Sequence, residues 1–158
     1  AWTKAKNVEL IKCYKEWYGL EYVIAYFYNV YGPNQIRRHH MSAVIGIFEE
    51  QFTNNKPLTV VKPGNQSRRF THIDDTINIC YLAWKKNLCR HYSISNKKTF
   101  SILEVAKMFK SRIKLLPKRP GERHVSALIN RNLSNKMYKY FGKVNLKSYI
   151  ENFIRENN

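Results

Sequence analysis

Residues that could bind a metal or carry redox chemistry are few in this sequence and poorly spaced for either task. His39 and His40 are adjacent, so their side chains are expected to point in different directions, and no third ligand follows at suitable spacing. A metal site needs three or four convergent ligands, and we therefore predict none. The cysteines Cys13, Cys80 and Cys89 are odd in number and form no CxxC pair, so neither a disulfide framework nor a zinc knuckle is expected.

Helical and strand-like patterns alternate along the chain, which predicts an α/β layer architecture. The continuously apolar segment LEYVIAYFY, residues 20–28, predicts a strand that is buried on both faces. Ser101 and Glu104 have the spacing of a capping box, so we expect a helix to begin there. Apolar stripes from Leu133 to Phe141 and from Leu146 to Ile154 predict two closing helices. The other predicted elements are helices at 3–18 and 41–53, a helix capped by Asp74 or Asp75, and strands at 57–61, 68–74, 92–95 and 113–117.

The composition is that of a folded protein with a strong positive charge. The chain has 158 residues, 44% of them hydrophobic, which is enough for one domain or a piece of a larger one. No run approaches the length of about 18 apolar residues that crosses a bilayer, and the N-terminus lacks the layout of a signal peptide, so a cytoplasmic location is expected. The formal net charge of +17 attracts phosphate-bearing partners, but the basic residues are scattered, and nucleic-acid binding is kept only as an alternative.

Several short segments, taken in order, resemble one known family. The family is the extended short-chain dehydrogenase/reductases that act on nucleotide sugars, such as UDP-glucose 4-epimerase and the sugar 4,6-dehydratases. The segments that resemble it are TK in AWTKAK, NVYGP, PLTVV, RRFTHIDD, YSIS, SILEVA and RPGE. The resemblance implies the C-terminal part of a Rossmann-type parallel sheet plus a small α/β substrate-binding domain. It also implies that residues 1–36 are a remnant of the NAD-binding domain, that 37–158 form mainly the nucleotide-sugar-binding domain, and that 74–96 pack back on the Rossmann sheet.

The resemblance assigns the cofactor side of a site to three residues. Lys4 matches the catalytic lysine of the family's Y-x-x-x-K motif, which also contacts the nicotinamide ribose, and Phe27 and Tyr28 would lie near the nicotinamide. An ammonium group beside a phenol whose pKa is about 10 favours the phenolate, which is why the motif pairs them. The tyrosine would fall just before Ala1, and the sequence has no glycine-rich turn for a dinucleotide. We therefore expect a fragment of an NAD-dependent protein that does not bind NAD tightly by itself.

The resemblance also implies a substrate side. Arg68 and Arg119 would converge on the diphosphate of a nucleotide sugar, and Glu122 would accept from a ribose or sugar hydroxyl. Thr59 and Val61 would lie beside the base. The full set of predicted substrate-binding residues is Asn29, Val44, Thr59, Val61, Arg68, Phe70, Arg119 and Glu122.

Three positions depart from the family pattern. Tyr26 stands where the family often has arginine, Arg69 replaces the usual aspartate after Arg68, and Ala43 stands where many members have an asparagine that contacts the sugar nucleotide. These departures leave the identity of the sugar open.

The sequence favours the substrate-binding portion of a UDP-sugar 4-epimerase that is NAD-dependent when intact. One alternative is a fragment of an NDP-sugar 4,6-dehydratase, because the family places the residues that distinguish it upstream of this chain. The other is a non-catalytic basic module that binds nucleic acid or a nucleotide. A nucleotide-diphosphate sugar is the expected small partner. An uncovered apolar face along residues 20–28 predicts dimerisation, aggregation or a missing partner segment. The resemblance implies a homodimer that pairs through the helix that carries Lys4.

Overall fold

The computed structural model describes residues 2–86, 91–118, 120 and 137–157, with the backbone alone for 137–141. Cys89, Arg119, Glu122 and Leu133 lie outside the described residues. The helices in the described part are α1 Trp2–Tyr18, α2 Val44–Thr53, α3 Ile73–Lys86, α4 Ile102–Met108 and α5 Leu146–Glu156. The strands are β1 Ile24–Phe27, β2 Val30–Tyr31, β3 Leu58–Val61, β4 Ser67–Arg68, β5 Thr71–His72, β6 His91–Asn96, β7 Phe100–Ser101, β8 Ile113–Leu116 and β9 Met137–Gly142.

Parallel pairing dominates the described strands. A three-stranded sheet has the order β1-β6-β9, and both of its pairs are parallel. The pairs β2-β5 and β3-β8 are also parallel, while β4-β7 is antiparallel. Parallel neighbours require crossover connections, and α3 lies in the long connection between the paired strands β1 and β6. The predicted α/β class is confirmed.

Two hydrophobic clusters hold these elements together. The larger cluster joins α2, β3, α4 and α5, and the rings of Phe48, Phe109 and Phe153 pack edge to face inside it, with Phe48 and Phe109 centroids 5.9 Å apart. The smaller cluster lies between α3 and the three-stranded sheet and contains the buried residues Ile79 and Tyr92. The larger cluster therefore supports β3 and the side chains that this strand carries.

The helix α4 begins where the capping box predicts. The backbone N–H of Glu104 donates to the Ser101 hydroxyl at 3.1 Å, and the Glu104 carboxylate accepts from the Ser101 backbone N–H at 2.6 Å. These two bonds satisfy donors that a helix start leaves without partners. Val105 is fully buried, so the helix is fixed by its first turn and by the core together.

The strand predicted at 20–28 is shorter and more exposed than expected. Only β1 forms, and Phe27 is 55% exposed. The physical reason is that β1 lies at the end of its sheet, with β6 as its neighbour, and that α1 buries none of its residues against it. The prediction of burial on both faces is therefore wrong for the described part of the chain.

Two further element predictions are wrong. The stripe that ends at Phe141 predicts a helix, but residues 137–142 form β9, because parallel pairing with β6 overrides the local helical spacing. The single strand at 68–74 is divided into β4 and β5, and α3 already begins at Ile73. Asp74 and Asp75 consequently lie in the first helical turn, where a negative charge is favoured, and do not cap the helix.

Candidate functional site

Five of the predicted substrate-binding residues line one cavity of about 250 Å³. We call this cavity the Arg68 pocket. It lies where β3, α2, β4 and the start of α4 meet, and its lining residues are Asn29, Ala43, Val44, Ile47, Thr59, Val61, Gln66, Arg68 and Ile102. The residues come from segments up to 73 positions apart, from Asn29 to Ile102, since 102 − 29 = 73. Tertiary folding alone brings them together.

The wall formed by β3 is held in place from α2. Gln51 donates through its side-chain N–H to the Thr59 hydroxyl at 2.8 Å, and its amide oxygen accepts from the Thr59 backbone N–H at 3.0 Å. At the other end of the strand, Gln66 donates to the Val61 carbonyl at 3.2 Å. The strand residues that face the pocket are thus fixed by side chains on both sides of it.

Arg68 gives the Arg68 pocket its charge. Its guanidinium donates to the Ser67 carbonyl at 2.8 Å, and its side chain is half-buried. Among the described residues that line the pocket, none is acidic. A guanidinium beside apolar walls suits an anionic ligand.

Asn29 has both a turn role and a place in the pocket. Its φ is +39°, a left-handed conformation that asparagine tolerates better than most residues. Its side-chain amide donates to the Arg69 carbonyl at 3.1 Å, and its own carbonyl accepts from the Thr71 N–H at 3.3 Å. Asn29 therefore joins the turn after β1 to the segment that carries Arg68.

Arg69, which departs from the family pattern, has a structural contact. Its guanidinium donates to the backbone carbonyls of Asn96 at 3.1 Å and of Lys97 at 2.5 Å. These bonds tie the segment after β4 to the end of β6. Arg69 therefore acts on the loop at the end of β6 and is not among the residues that line the Arg68 pocket.

The other predicted residues lie elsewhere. Phe70 is 2% exposed and belongs to the larger hydrophobic cluster, not to the lining of the Arg68 pocket. Lys4 is exposed on α1, and Phe27 is exposed on β1. Arg119 and Glu122 lie outside the described residues, so their predicted convergence with Arg68 stays a prediction.

A larger cavity lies on another side of α2. Its volume is about 480 Å³, and it is lined by Asn34, Gln35, Arg37, Arg38, Glu50, Thr53 and Asn54. Its arginines are paired, because Arg37 contacts the buried Glu49 at 2.9 Å and Arg38 contacts Glu50 at 3.4 Å. Glu49 also accepts from the Tyr149 hydroxyl at 2.7 Å, and burial together with this carboxylate raises the pKa of Tyr149. Carboxylates hold the arginines of this cavity, and none of the predicted substrate-binding residues lines it, so the Arg68 pocket is the candidate site.

Four lining residues of the Arg68 pocket are not in the predicted set: Ala43, which was named only as a departure from the family pattern, and Ile47, Gln66 and Ile102. Ile47 lies one helical turn beyond Val44, so the i, i+3 spacing could have indicated it. Ile102 and Gln66 carry no such signal, because their places depend on how α4 packs against the loop before β4. Two bonds make that contact: the Ile102 N–H donates to the Gln66 carbonyl and the Leu103 N–H to the Gly64 carbonyl, each at 3.0 Å.

The part of the chain that the structure describes does not form a complete NAD site. Lys4 and Phe27 are exposed, and the Tyr28 hydroxyl is within 3.2 Å of the Ser93 hydroxyl. The six glycines are scattered singly, so the sequence contains no glycine-rich turn that would cradle a dinucleotide pyrophosphate.

In the described ranges, no three His, Cys, Asp or Glu side chains lie close enough together to hold a metal ion. The rings of His39 and His40 lie 3.9 Å apart, so the expectation that they point in different directions is wrong. No helix in the described part combines the length and apolar character of a membrane span.

Comparison with known proteins gives a consistent family. The profile of the NAD dependent epimerase/dehydratase family matches residues 1–95, more than half of the chain. A putative UDP-glucose 4-epimerase of Methanocaldococcus jannaschii is 32% identical over 113 residues, which are 70% of this chain and 36% of that protein. A UDP-glucuronic acid decarboxylase 3 of Arabidopsis thaliana is 30% identical over 100 residues, or 63% of this chain and 29% of that protein.

Solved structures agree in fold. A UDP-glucuronic acid 4-epimerase from Bacillus cereus, in complex with UDP-glucuronic acid and NAD, is 27% identical with a TM-score of 0.75, and the match covers 98% of this chain and 51% of that one. A UDP-N-acetylglucosamine 4-epimerase from Methanobrevibacter ruminantium has a TM-score of 0.82 at 23% identity, over 96% of this chain and 51% of that one. The chain thus spans about half the length of these solved relatives and less of the curated ones. It belongs to the NAD dependent epimerase/dehydratase family.

Proposed function

We propose that this chain is the substrate-binding portion of a UDP-sugar 4-epimerase that is NAD-dependent in its intact form. The observation that carries the proposal is the Arg68 pocket, in which five residues predicted to bind the substrate line one cavity. The names of its relatives add support, since they include UDP-glucose and UDP-glucuronic acid 4-epimerases.

In the proposed complex, Arg68 binds the diphosphate. The planar guanidinium can donate to two phosphate oxygens at once. The base lies along β3 beside Thr59 and Val61, and Val44 covers it from α2. Arg119 and Glu122 are proposed to complete the site, the arginine at the same diphosphate and the glutamate at a hydroxyl.

NAD would supply the hydride chemistry in the intact protein. Lys4, Phe27 and Tyr28 are proposed to lie on the cofactor side when the rest of an NAD site is present. The 158 residues alone are proposed to be inactive, because no glycine-rich turn is present in the sequence.

Several further features of the proposal follow from the sequence. Residues 1–36 are proposed as the Rossmann remnant and 37–158 as the main substrate-binding part, with 74–96 packed on the Rossmann sheet. The pairing of β1 with β6 supports the last point. A homodimer and a cytoplasmic location stay predictions. The choice of a 4-epimerase over a 4,6-dehydratase is also a prediction, because the substrate-binding halves of the two enzymes would be alike.

Nucleic-acid binding is a second candidate, favoured by one observation on α1. This helix exposes Trp2, Trp17 and Tyr18, at 73%, 64% and 74%, next to several lysines. Exposed aromatics among basic residues can stack on single-stranded bases. Two of the lysines are already paired, Lys6 with Glu9 and Lys15 with Glu21, which reduces the charge that remains for a phosphate backbone.

Calorimetric titration of the chain with UDP, UDP-glucose and single-stranded DNA tests the proposal. UDP and UDP-glucose should both bind, and Arg68→Ala should weaken each by at least about tenfold, since charge-assisted bonds to phosphate are strong. Arg68→Lys should recover only part of the affinity, because lysine lacks the fork. Binding of DNA without binding of UDP would replace the proposal by the second candidate.

The matched control is Arg38→Ala. Arg38 lines the larger cavity and is exposed, so its removal changes the net charge by the same amount as Arg68→Ala. Affinity for UDP should stay unchanged in this variant. An equal loss in both variants would mean that UDP responds to overall charge and not to the Arg68 pocket.

A further inference from the structure

Gln66 is a buried amide whose orientation is fixed by chemistry. It is 1% exposed, and its side-chain N–H donates to the Val61 carbonyl at 3.2 Å. A carbonyl can only accept, so the NH₂ end of the amide must face Val61 and the Oε1 end must face away from it. The side chain therefore has one defined acceptor left over.

That acceptor has no donor among the described residues. Gln66 Oε1 is buried and lacks a hydrogen-bond partner there. A buried carbonyl oxygen without a donor is disfavoured and uncommon in folded proteins, so a group that satisfies it from outside the described chain is expected. Gln66 is also one of the residues that line the Arg68 pocket, which is where such a group could enter.

The surroundings of Gln66 suit a flat ring with one donor. Val61 and Ile102 are the apolar neighbours in the lining, whereas Arg68 lies two residues further along the chain. A nucleobase needs apolar walls and a few placed polar groups to fix its orientation. In a uracil that is bound to ribose through N1, the N3 imide carries the ring's N–H donor.

We propose that Gln66 is a specificity-determining residue of the Arg68 pocket, and that its Oε1 accepts a hydrogen bond from the imide N–H of a uracil base. The inference rests on the proposed function, which it deepens by assigning a base-reading residue. Gln66 then has two roles, because the amide that binds the base also donates a hydrogen bond to the Val61 carbonyl at the end of β3.

The test compares two ligands on two proteins by calorimetry. The ligands are UDP and 3-methyl-UDP, in which a methyl group replaces the imide proton. The proteins are the unaltered chain and Gln66→Met, which keeps the volume of the side chain but cannot accept a comparable bond. The unaltered chain should bind UDP at least about tenfold more tightly than 3-methyl-UDP. In Gln66→Met this ratio should fall to near one.

Two controls isolate the imide. Asn65→Ala changes an exposed neighbour outside the lining of the pocket and should leave the ratio of the unaltered chain intact. Relative to UDP, the ligand 2′-deoxy-UDP should lose affinity by the same factor for the unaltered chain and for Gln66→Met. If the variant instead abolishes sensitivity to the 2′-hydroxyl, Gln66 contacts the ribose and the proposal is overturned.

A measurement without a variant covers the case in which Gln66→Met does not fold. With ¹⁵N-labelled UDP bound to the unaltered chain, the imide proton should be protected from exchange with water and visible by NMR. A rapidly exchanging imide proton overturns the inference but leaves the proposed function standing. Absence of any UDP binding overturns the proposed function, and the inference with it.

Discussion

Gln51 holds Thr59 through two hydrogen bonds, one to its hydroxyl at 2.8 Å and one from its backbone N–H at 3.0 Å. The contact joins α2 to β3, two of the elements that line the Arg68 pocket. It gives the Thr59 backbone N–H an acceptor on α2, outside the pairing of β3 with β8. A side-chain amide that does not itself line the Arg68 pocket therefore joins two of its walls.

Gln51→Met should destabilise the chain and weaken its binding of UDP. The variant removes both bonds and leaves the half-buried N–H of Thr59 without its partner, which should lower the free energy of unfolding by about 1–2 kcal/mol. Urea denaturation followed by circular dichroism measures the change. Gln51→Glu should retain more stability, because a carboxylate still accepts from the Thr59 N–H. Equal stability of all three proteins would contradict this role.

The capping box should make stability depend on pH. A hydrogen bond from the Ser101 backbone N–H, with a second from the Ser101 hydroxyl, holds the pKa of Glu104 below its ordinary value of 4.5. Because the folded pKa is the lower one, this stabilisation is present above pH 4.5 and is lost as the pH falls through the folded value. The difference in unfolding free energy between the unaltered chain and Glu104→Gln should therefore shrink between pH 7 and pH 3, as measured by urea denaturation.

The control for the capping box is Ser101→Ala. It removes the bond from the Glu104 N–H and should cost about 1 kcal/mol at neutral pH. A difference between the unaltered chain and Glu104→Gln that stays constant over the whole pH range would show that the ionised carboxylate makes no special contribution.

Gly46→Ala should lower the melting temperature although alanine favours helix. A Cβ at position 46 would lie 2.5 Å from the backbone carbonyl oxygen of Ile36, which cannot move as a flexible side chain could. Overpacking of this kind costs about 1–3 kcal/mol, and the gain in helix propensity is at most about 1 kcal/mol. Gly19→Ala is the comparison, since no atom lies within 4 Å there and only its φ of +69° opposes a side chain. A higher melting temperature for Gly46→Ala would show that α2 and the backbone at Ile36 are not in close contact.

A protein made of these 158 residues should neither turn over UDP-glucose nor bind NAD tightly. The exposed Lys4 and Phe27 supply no enclosed cofactor site, and the sequence has no glycine-rich turn. A coupled assay for UDP-galactose and a fluorescence titration with NADH test the two statements separately. Detectable epimerisation by the purified chain would refute the first one.

Local signals predicted the parts of the fold that are fixed locally. The Ser101 and Glu104 spacing located the start of α4, and the stripe from Leu146 to Ile154 located α5. By contrast, residues 137–142 have helical spacing but form a strand, because β6 lies alongside them. The exposure of Phe27 could not be predicted from its own side chain either, since it depends on which strands flank β1.

The residues of the candidate site also differ in whether local sequence could predict them. Val44, Thr59, Val61 and Arg68 could be predicted, because the segments that carry them resemble a family with a known order of segments. Gln66 could not, since a glutamine in a loop indicates a surface position until the start of α4 is packed against it. Gln66 is buried by a tertiary contact, so no single segment of the sequence indicates its burial.

A crystal structure of the chain with UDP-glucose tests the central claim most directly. Phosphate oxygens should lie within about 3 Å of the guanidinium groups of both Arg68 and Arg119, with the base beside Thr59 and Val61. A ligand bound elsewhere, or Arg68 and Arg119 facing different cavities, would contradict the proposed site.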